Sequence, residues 1–122
     1  MIILGSKSKR REEIFSHFCH PFEIVVSGFN EREVAFEGFA SDYVQTIAVE
    51  KSRPIADVHP GRVIITADTA VTLDGGIFNK PQTIEEAREM LKILSGKRHE
   101  VVSGVCVRRD NEVHEAAEST FV

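Results

Sequence analysis

The sequence predicts an α/β domain built on a mixed β-sheet with flanking helices. Short β-branched runs alternate with stretches of helical periodicity, and turns rich in glycine, proline, asparagine and aspartate separate them. With 122 residues and 42% hydrophobic content, the chain can bury one modest core. We therefore expect a single domain over residues 1–122.

The first elements are predicted to be a strand, a helix and a second strand. Ile2–Leu4 is a short apolar run that ends at a Gly5-Ser6 turn. Pro21 stops the helix that follows, and Phe22–Val26 offers the second strand. The apolar positions of the helix recur at helical spacing and are Ile14, Phe15 and Phe18.

A second helix is predicted to begin at a Ser41-Asp42 cap and to run past Lys51, with Pro54 bending or ending it. Its apolar stripe consists of Val44, Ile47 and Ala48. A turn at residues 59–61 then leads into the most strand-like region of the chain, Arg62–Leu73, which is dense in valine, isoleucine and threonine.

The remaining elements predict a hairpin, a helix and a second hairpin. The glycines after Asp74 turn the long strand back into the short segment Ile77-Phe78. Thr83 and Glu86 have the spacing of a capping box, and Gly96 closes the helix that they begin. Strands over residues 100–108 and 113–122 are predicted to pair in antiparallel fashion.

The composition argues against several classes of function. A net charge of −4 does not suit a protein that coats nucleic acid or a membrane surface. Cys19 and Cys106 lie far apart and lack the spacing of a zinc site. No apolar run approaches the roughly 20 residues that cross a bilayer, and the apolar start is too short for a secretory signal. We expect a soluble cytoplasmic protein with reduced thiols.

A basic cluster at the start of the first helix is the first candidate for chemistry. It reads Ser6-Lys7-Ser8-Lys9-Arg10-Arg11. Crowding cations at the positive end of the helix dipole costs stability, which a phosphate held by N–H groups, hydroxyls and guanidinium groups would relieve. The alternative is that these side chains splay into water. The cluster has no interleaved aromatic residue, which argues against a nucleic-acid patch.

The second candidate is Asp68, a carboxylate among residues that would normally continue a strand. It either caps a local turn or lies at a strand end, as a metal ligand or as a base for water. Lys51, Lys80 and Glu31 are weak candidates singly, because most lysines and loop glutamates are solvated surface groups. Together, these three residues are stronger candidates for a binding site than any one of them alone. The histidines show no pairing that indicates a triad or a zinc site.

Several short motifs occur in an order that resembles the Maf family, nucleoside triphosphate pyrophosphatases related in fold to the inosine triphosphate pyrophosphatases. The likeness runs from Ile2 to Val122. The motifs are Ile3-Leu4-Gly5-Ser6 with Ser8 and Arg10-Arg11, the Glu31 loop, Glu50-Lys51, Ala67-Asp68-Thr69, Lys80-Pro81, Leu94-Ser95-Gly96 and His99-Glu100-Val101.

The resemblance implies a role for each candidate. Asp68 would be the catalytic base, and Lys51 and Lys80 would add charge around the triphosphate. The substrate-binding residues would be Ser6, Arg10, Arg11, Glu31 and Thr69. Glu31 and Asp68 would hold the divalent metal, Mg²⁺ or Mn²⁺, that the family requires. Phosphoryl chemistry depends mainly on positioning and on charge neutralisation, which such a set supplies.

The reaction that the resemblance implies is hydrolysis of a nucleoside triphosphate to the monophosphate and pyrophosphate. The Ala-Asp-Thr form at residues 67–69 resembles the branch of the family that acts on dTTP and UTP. The alternative is a non-catalytic, nucleotide-binding regulator of septum formation and cell division, processes with which the family has been associated.

The sequence departs from the family in length and at single positions. Family members continue beyond Val122, so the fold is expected to lack its usual C-terminal portion. Uncovered sheet edges and core surface favour self-association, and we expect a homodimer. Lys9 stands where the family has proline, and Thr66 and Asn79 stand where it has glycine, so backbone freedom is lost at the last two.

Overall fold

The computed structural model describes residues 1–18, 21–74, 76–78 and 83–121, with Arg32 described by its backbone alone. Strands and helices alternate along this part of the chain, as predicted. The elements are β1 (Ile2–Leu4), α1 (Lys9–Ser16), β2 (Phe22–Ile24), α2 (Ala40–Val58), β3 (Ile64–Leu73), β4 (Gly76–Phe78), α3 (Ile84–Leu94), β5 (Glu100–Arg109) and β6 (Glu112–Phe121). A short 3-10 helix, Glu31–Glu33, precedes α2.

The strands form one mixed sheet in the order β2-β1-β3-β5-β6, with β4 paired to β3. β1 runs parallel to β2 and β3. β3, β5 and β6 are antiparallel neighbours, and β4 is antiparallel to β3. The predicted mixed sheet with flanking helices is therefore confirmed.

The two edges of the central strand β3 differ. One edge pairs with β5 from Ile64 to Thr72. The other edge pairs with β1 at Ile64 and Ile65 and with β4 from Val71 to Leu73. Within the described residues, positions 66–70 therefore have no strand partner on this second edge. We call this stretch the edge gap.

Helix α2 packs on β3 and β5 and supplies much of the core. Its buried residues are Tyr43, Val44, Ile47, Ala48, Ser52 and Ile55. Gly104 of β5 allows a close approach, since a Cβ there would lie 2.7 Å from the carbonyl carbon of Val44. The Thr66 hydroxyl donates a hydrogen bond to the Ala48 carbonyl. These contacts fix the distance between α2 and the sheet at the edge gap.

The start of α2 differs from the prediction. The helix begins at Ala40 after Phe39, which makes no side-chain cap hydrogen bond, so the predicted Ser41-Asp42 cap is wrong. Asp42 lies in the first turn, where its charge still interacts favourably with the helix dipole. Pro54 does not end the helix, which continues to Val58. Its missing N–H removes one helical hydrogen bond, and burial of the adjacent Ile55 offsets the loss.

Helices α1 and α3 form where the sequence predicts them. Thr83 caps α3 by accepting a hydrogen bond from the Glu86 N–H at 3.1 Å, and Gly96 follows the helix with a φ of 72°. Neither helix buries a residue fully, and Ile14 of α1 and Leu91 of α3 are 49% and 70% exposed. The described part of the chain therefore covers their apolar faces only in part. The expected homodimer stays a prediction.

The predicted strand limits shift by a few residues. β2 ends at Ile24 and β3 begins at Ile64, whereas β6 starts at Glu112, immediately after the turn. In the ranges described above, we find no helix with both the length and the apolar character that crossing a membrane requires.

Candidate active site

An open cleft of about 1560 Å³ lies beside the edge gap. Residues from the segments after β1 and β2, and from α1, α2, β3, β4 and α3, form its walls. The predicted site residues that line it are Ser6, Arg11, Glu31, Lys51, Asp68 and Thr69. Residues that lie far apart in the sequence thus meet in one cleft, next to the point where the pairing of β1 with β3 ends.

The carbonyl of Ala67 organises the cations of the cleft. The carbonyls of Val63 and Ile65 accept hydrogen bonds from β1. Ala67 is the next residue with its carbonyl on the same edge, and it lies beyond the end of β1. Its oxygen accepts instead from Arg11 Nη1 at 3.2 Å and from Lys51 Nζ at 2.9 Å. An unpaired strand carbonyl therefore draws both cations to the edge gap.

Arg11 is held at two points. Its Nη2 donates to the Thr69 hydroxyl at 3.2 Å while Nη1 bonds the Ala67 carbonyl. The planar guanidinium group is thus fixed along β3 by two parallel contacts.

Asp68 lies within β3, in register with Gly104 of β5. It neither caps a turn nor ends a strand, so both sequence-based placements are wrong. The strand accommodates the carboxylate because the Asp68 side chain is only half-buried and lines the cleft. Burial raises the pKa of the Asp68 carboxyl from 3.8 to about 6, and the Glu31 carboxylate acts in the same direction. Lys51, Arg11 and a hydrogen bond from the Thr69 backbone lower this pKa, less strongly.

Glu31 reaches the cleft from the 3-10 helix. Its carboxylate lies 3.3 Å from Lys51 Nζ, and the Lys51 side chain is only 12% exposed. Lys51 therefore links three groups, the Glu31 carboxylate, the Ala67 carbonyl and, electrostatically, Asp68.

The start of α1 is ordered by the serines of the basic cluster. The Ser6 hydroxyl accepts from the Ser8 N–H at 3.0 Å, and Ser8 caps the helix by accepting from the Arg11 N–H at 3.3 Å. Arg10 is exposed and is not among the residues that line the cleft. Neighbouring helical residues point about 100° apart. The structure therefore brings Arg11 of the predicted guanidinium pair to the cleft wall, and Arg10 points away from it.

Lys80 and Asn79 lie outside the described residues. Thr66, the other position where glycine is lost, is fully buried and turned toward α2, so its side chain does not meet a ligand in the cleft. Residues that the sequence did not single out also line the cleft, among them Phe29, Tyr43 and Glu89. No sequence signal identified them, because ordinary core and surface residues share their types and spacing.

The donor set suits a hard divalent cation. Within the described residues, no group of three or more His, Cys, Asp or Glu side chains could hold a metal ion. Asp68 and Glu31 nevertheless lie close enough for one carboxylate to raise the pKa of the other. Mg²⁺ is typically bound by one or two carboxylates, with water and substrate phosphates completing its shell, so these two residues fit it.

Solved structures share this fold. The Staphylococcus aureus Ham1 protein matches with a TM-score of 0.62 and 15% identity, covering 98% of this chain and 69% of that one. A Mycobacterium abscessus protein described as a nucleoside-triphosphatase or dITP/XTP pyrophosphatase matches with a TM-score of 0.57 and 15% identity, covering 98% and 70%. At such identities the likeness establishes the fold alone.

Curated relatives are closer in sequence. A dTTP/UTP pyrophosphatase of Acholeplasma laidlawii is 43% identical over 100% of this chain and 64% of its own length. Proteins of the same name from Clostridium botulinum and Chlamydia caviae are 45% and 41% identical over 87% and 99% of the chain, and 57% and 62% of their own length. The chain thus spans less than two thirds of these relatives.

A sequence profile described as Maf-like protein matches residues 1–122, the whole chain. The resemblance predicted from the short motifs is confirmed, and the chain belongs to the Maf family.

Proposed function

We propose that the cleft binds a nucleoside triphosphate and hydrolyses it to the monophosphate and pyrophosphate, with dTTP and UTP as substrates. The observation that carries this proposal is Asp68, a carboxyl with a pKa of about 6 that lines the same cleft as Arg11 and Lys51 and interacts with both of them electrostatically. The relatives named dTTP/UTP pyrophosphatase support both the reaction and the choice of substrate.

The cations at the edge gap are equipped to bind phosphate oxygens. A guanidinium group has five N–H donors, and two donors of Arg11 form hydrogen bonds with the Ala67 carbonyl and the Thr69 hydroxyl. Arg11 lines the cleft, where its other N–H groups can donate to an anion, and Lys51 adds a second charge beside them. Ser6 lines the same wall. From the resemblance, we also assign Lys80 to the triphosphate.

Asp68 is suited to act as the general base. With a pKa of about 6, the carboxylate is ionised at neutral pH and is more basic than an ordinary aspartate, as proton transfer from water requires. The water oxygen forms a bond to phosphorus, and the anhydride bond between the α- and β-phosphates breaks. The proton of the water passes to Asp68, and pyrophosphate departs with the bonding electrons.

Glu31 and Asp68 would hold a divalent cation, Mg²⁺ or Mn²⁺. When bound, such an ion supplies positive charge to the phosphate oxygens and lowers the pKa of a coordinated water. Glu31 also bears on the site through Lys51, whose ammonium group it holds at 3.3 Å.

Asp68→Asn tests the proposal directly. We expect pyrophosphate release to fall by about a hundredfold or more, since the amide cannot accept the proton, while nucleotide affinity is largely kept. Asp57→Asn is the control, because Asp57 is an exposed acid on α2 away from the cleft walls. The assay measures pyrophosphate release with and without Mg²⁺.

Other outcomes are informative. An active Asp68→Asn enzyme would remove Asp68 from its role, and a preference for purine triphosphates in a substrate panel would contradict the pyrimidine assignment. Nucleotide binding by the wild-type chain without turnover would support the non-catalytic regulator instead.

A further inference from the structure

We infer that Ser103 is a positioning residue, whose hydroxyl orients the Thr69 hydroxyl toward the substrate phosphates and, through Thr69, fixes Arg11. The inference rests on the proposed function and adds a residue from β5 to the site. Ser103 is not among the residues that line the cleft, so it acts through Thr69, which does.

The geometry links three elements in a row. Ser103 lies directly across from Thr69 in the antiparallel register of β3 and β5. Their hydroxyl oxygens are 2.9 Å apart, and the Thr69 hydroxyl also accepts from Arg11 Nη2 at 3.2 Å. A hydrogen-bonded chain therefore runs from β5 through β3 to α1, ending at a cation in the cleft.

The numbers of donors and acceptors determine which hydroxyl donates in this series of hydrogen bonds. A hydroxyl has one proton to donate and two lone pairs that accept. A guanidinium group can only donate, so Arg11 occupies one lone pair of Thr69. If Ser103 donates to the second lone pair, the Thr69 proton has to point in the one remaining direction, into the cleft.

The opposite direction is unsuited to an anion. If Thr69 donated its proton to Ser103, a lone pair would face the phosphate oxygens and repel them. A bound phosphate therefore selects the arrangement in which Ser103 donates and Thr69 gives its own proton to the substrate. Without Ser103, the Thr69 proton turns more freely, and ordering it on binding costs affinity.

Ser103→Ala tests this role in steady-state kinetics with dTTP. We expect KM to rise about threefold to tenfold, the worth of one hydrogen bond, with kcat nearly unchanged. The backbone of Ser103 stays in the β3–β5 ladder, so the strand itself is retained. Ser103→Thr restores a hydroxyl and should restore KM. Val105→Ala, two residues along β5 on the same face, is the control and leaves KM unchanged.

A double-mutant cycle separates positioning from general damage. In a Thr69→Val background, Ser103→Ala should cause no additional rise in KM, because its only route to the substrate is already removed. Independent, additive effects of the two substitutions would overturn the inference. If Ser103→Ala folds poorly by thermal melting, the near-isosteric Ser103→Cys, a weak donor, takes its place and should give an intermediate KM.

A binding measurement keeps this test independent of turnover. Calorimetric titration with inorganic tripolyphosphate gives a Kd that should rise about threefold to tenfold in Ser103→Ala. If the wild-type chain binds tripolyphosphate but releases no pyrophosphate from nucleotides, the proposed reaction fails while the Ser103 role is still decided by this Kd. An unchanged Kd in Ser103→Ala, or no binding by the wild-type chain, would overturn the inference.

Discussion

Two adjacent three-residue stretches of β3 differ in their surroundings: Ile64–Thr66, which we call the packed half, and Ala67–Thr69, which we call the open half. From Ile64 to Thr66 the strand is built for packing, since both of these side chains are fully buried and Ile64 and Ile65 have strand partners on both edges. From Ala67 to Thr69 no strand of the described residues pairs with the second edge, and side chains from two helices bind there. The chemistry of the cleft begins where β1 stops.

The end of β1 is itself fixed by packing. The Gly5 N–H makes the last hydrogen bond to β3, at the Ile65 carbonyl. A Cβ on Gly5 would lie 2.6 Å from the Ile55 side chain and 2.8 Å from the Thr66 side chain. Only glycine fits this crossing, after which the chain leaves the sheet and α1 returns Arg11 to the open edge. The packed half of β3 thus determines the geometry of the open half.

The largest expected effect on stability and activity comes from a substitution that pushes α2 away from the sheet. Gly104→Ala would place a Cβ 2.7 Å from the α2 backbone, which a helix can relieve only by moving. We expect a loss of about 1–3 kcal/mol in the free energy of unfolding, measured by urea denaturation. Activity should fall as well, because Lys51 moves with α2.

Gly28→Ala is the matched control, since nothing lies within 4 Å of a Cβ at Gly28. We expect its unfolding midpoint to stay close to that of the wild-type chain. If Gly104→Ala were as stable as Gly28→Ala, the claim that close contact at Gly104 fixes the distance between α2 and the sheet would be wrong.

A smaller effect is expected from Arg11→Lys, which acts on the open half alone. An ammonium group on a flexible stem cannot reproduce the fork that joins Ala67 and Thr69. Losing the fixed orientation of the charge toward phosphate should raise KM about tenfold, and losing one internal hydrogen bond should lower the unfolding free energy by about 1 kcal/mol. Arg53→Lys, an exposed arginine on α2, is the control, and equal KM values for the two variants would contradict the two-point attachment.

The packed half of the fold was largely predictable from the sequence. The β-branched run of β3 and the apolar stripe at Val44 and Ile47 reveal buried faces, because burial repeats with the period of the element. The start of α2 was not predictable, since Ser41 and Asp42 are good cap residues but lie inside the first turn, after the N-cap residue Phe39. Exposure of the α3 apolar face at Leu91 was equally hidden, because periodicity does not show what covers a helix.

The open half was predictable only in its residue types. Asp68, Lys51 and Arg11 were identified as candidates, but their meeting point depends on where one strand of the sheet ends. Arg10 was grouped with Arg11 by adjacency, although consecutive helical residues diverge. Ser103 gave no signal, because a serine in a strand is ordinary until the residue across from it is known.

The last expected effect concerns the titration of Asp68. Its folded pKa of about 6 exceeds the ordinary 3.8, so the folded state favours the protonated carboxyl. This group therefore lowers stability at neutral pH, and stability is regained as pH falls from about 6 toward 3.8. Asp68→Asn should remove that dependence and raise the unfolding free energy at pH 7.

The causes of the raised pKa can be separated by substitution, followed by carboxyl ¹³C NMR without divalent metal. Glu31→Gln should lower the Asp68 pKa, because a neighbouring negative charge is lost, and Lys51→Met should raise it. Glu33→Gln, an exposed acid in the same 3-10 helix, should change it less than Glu31→Gln does. Burial is the largest cause, so the pKa should stay above 3.8 in Glu31→Gln; a return to that value would mean that charge repulsion, not the walls of the cleft, makes Asp68 a strong base.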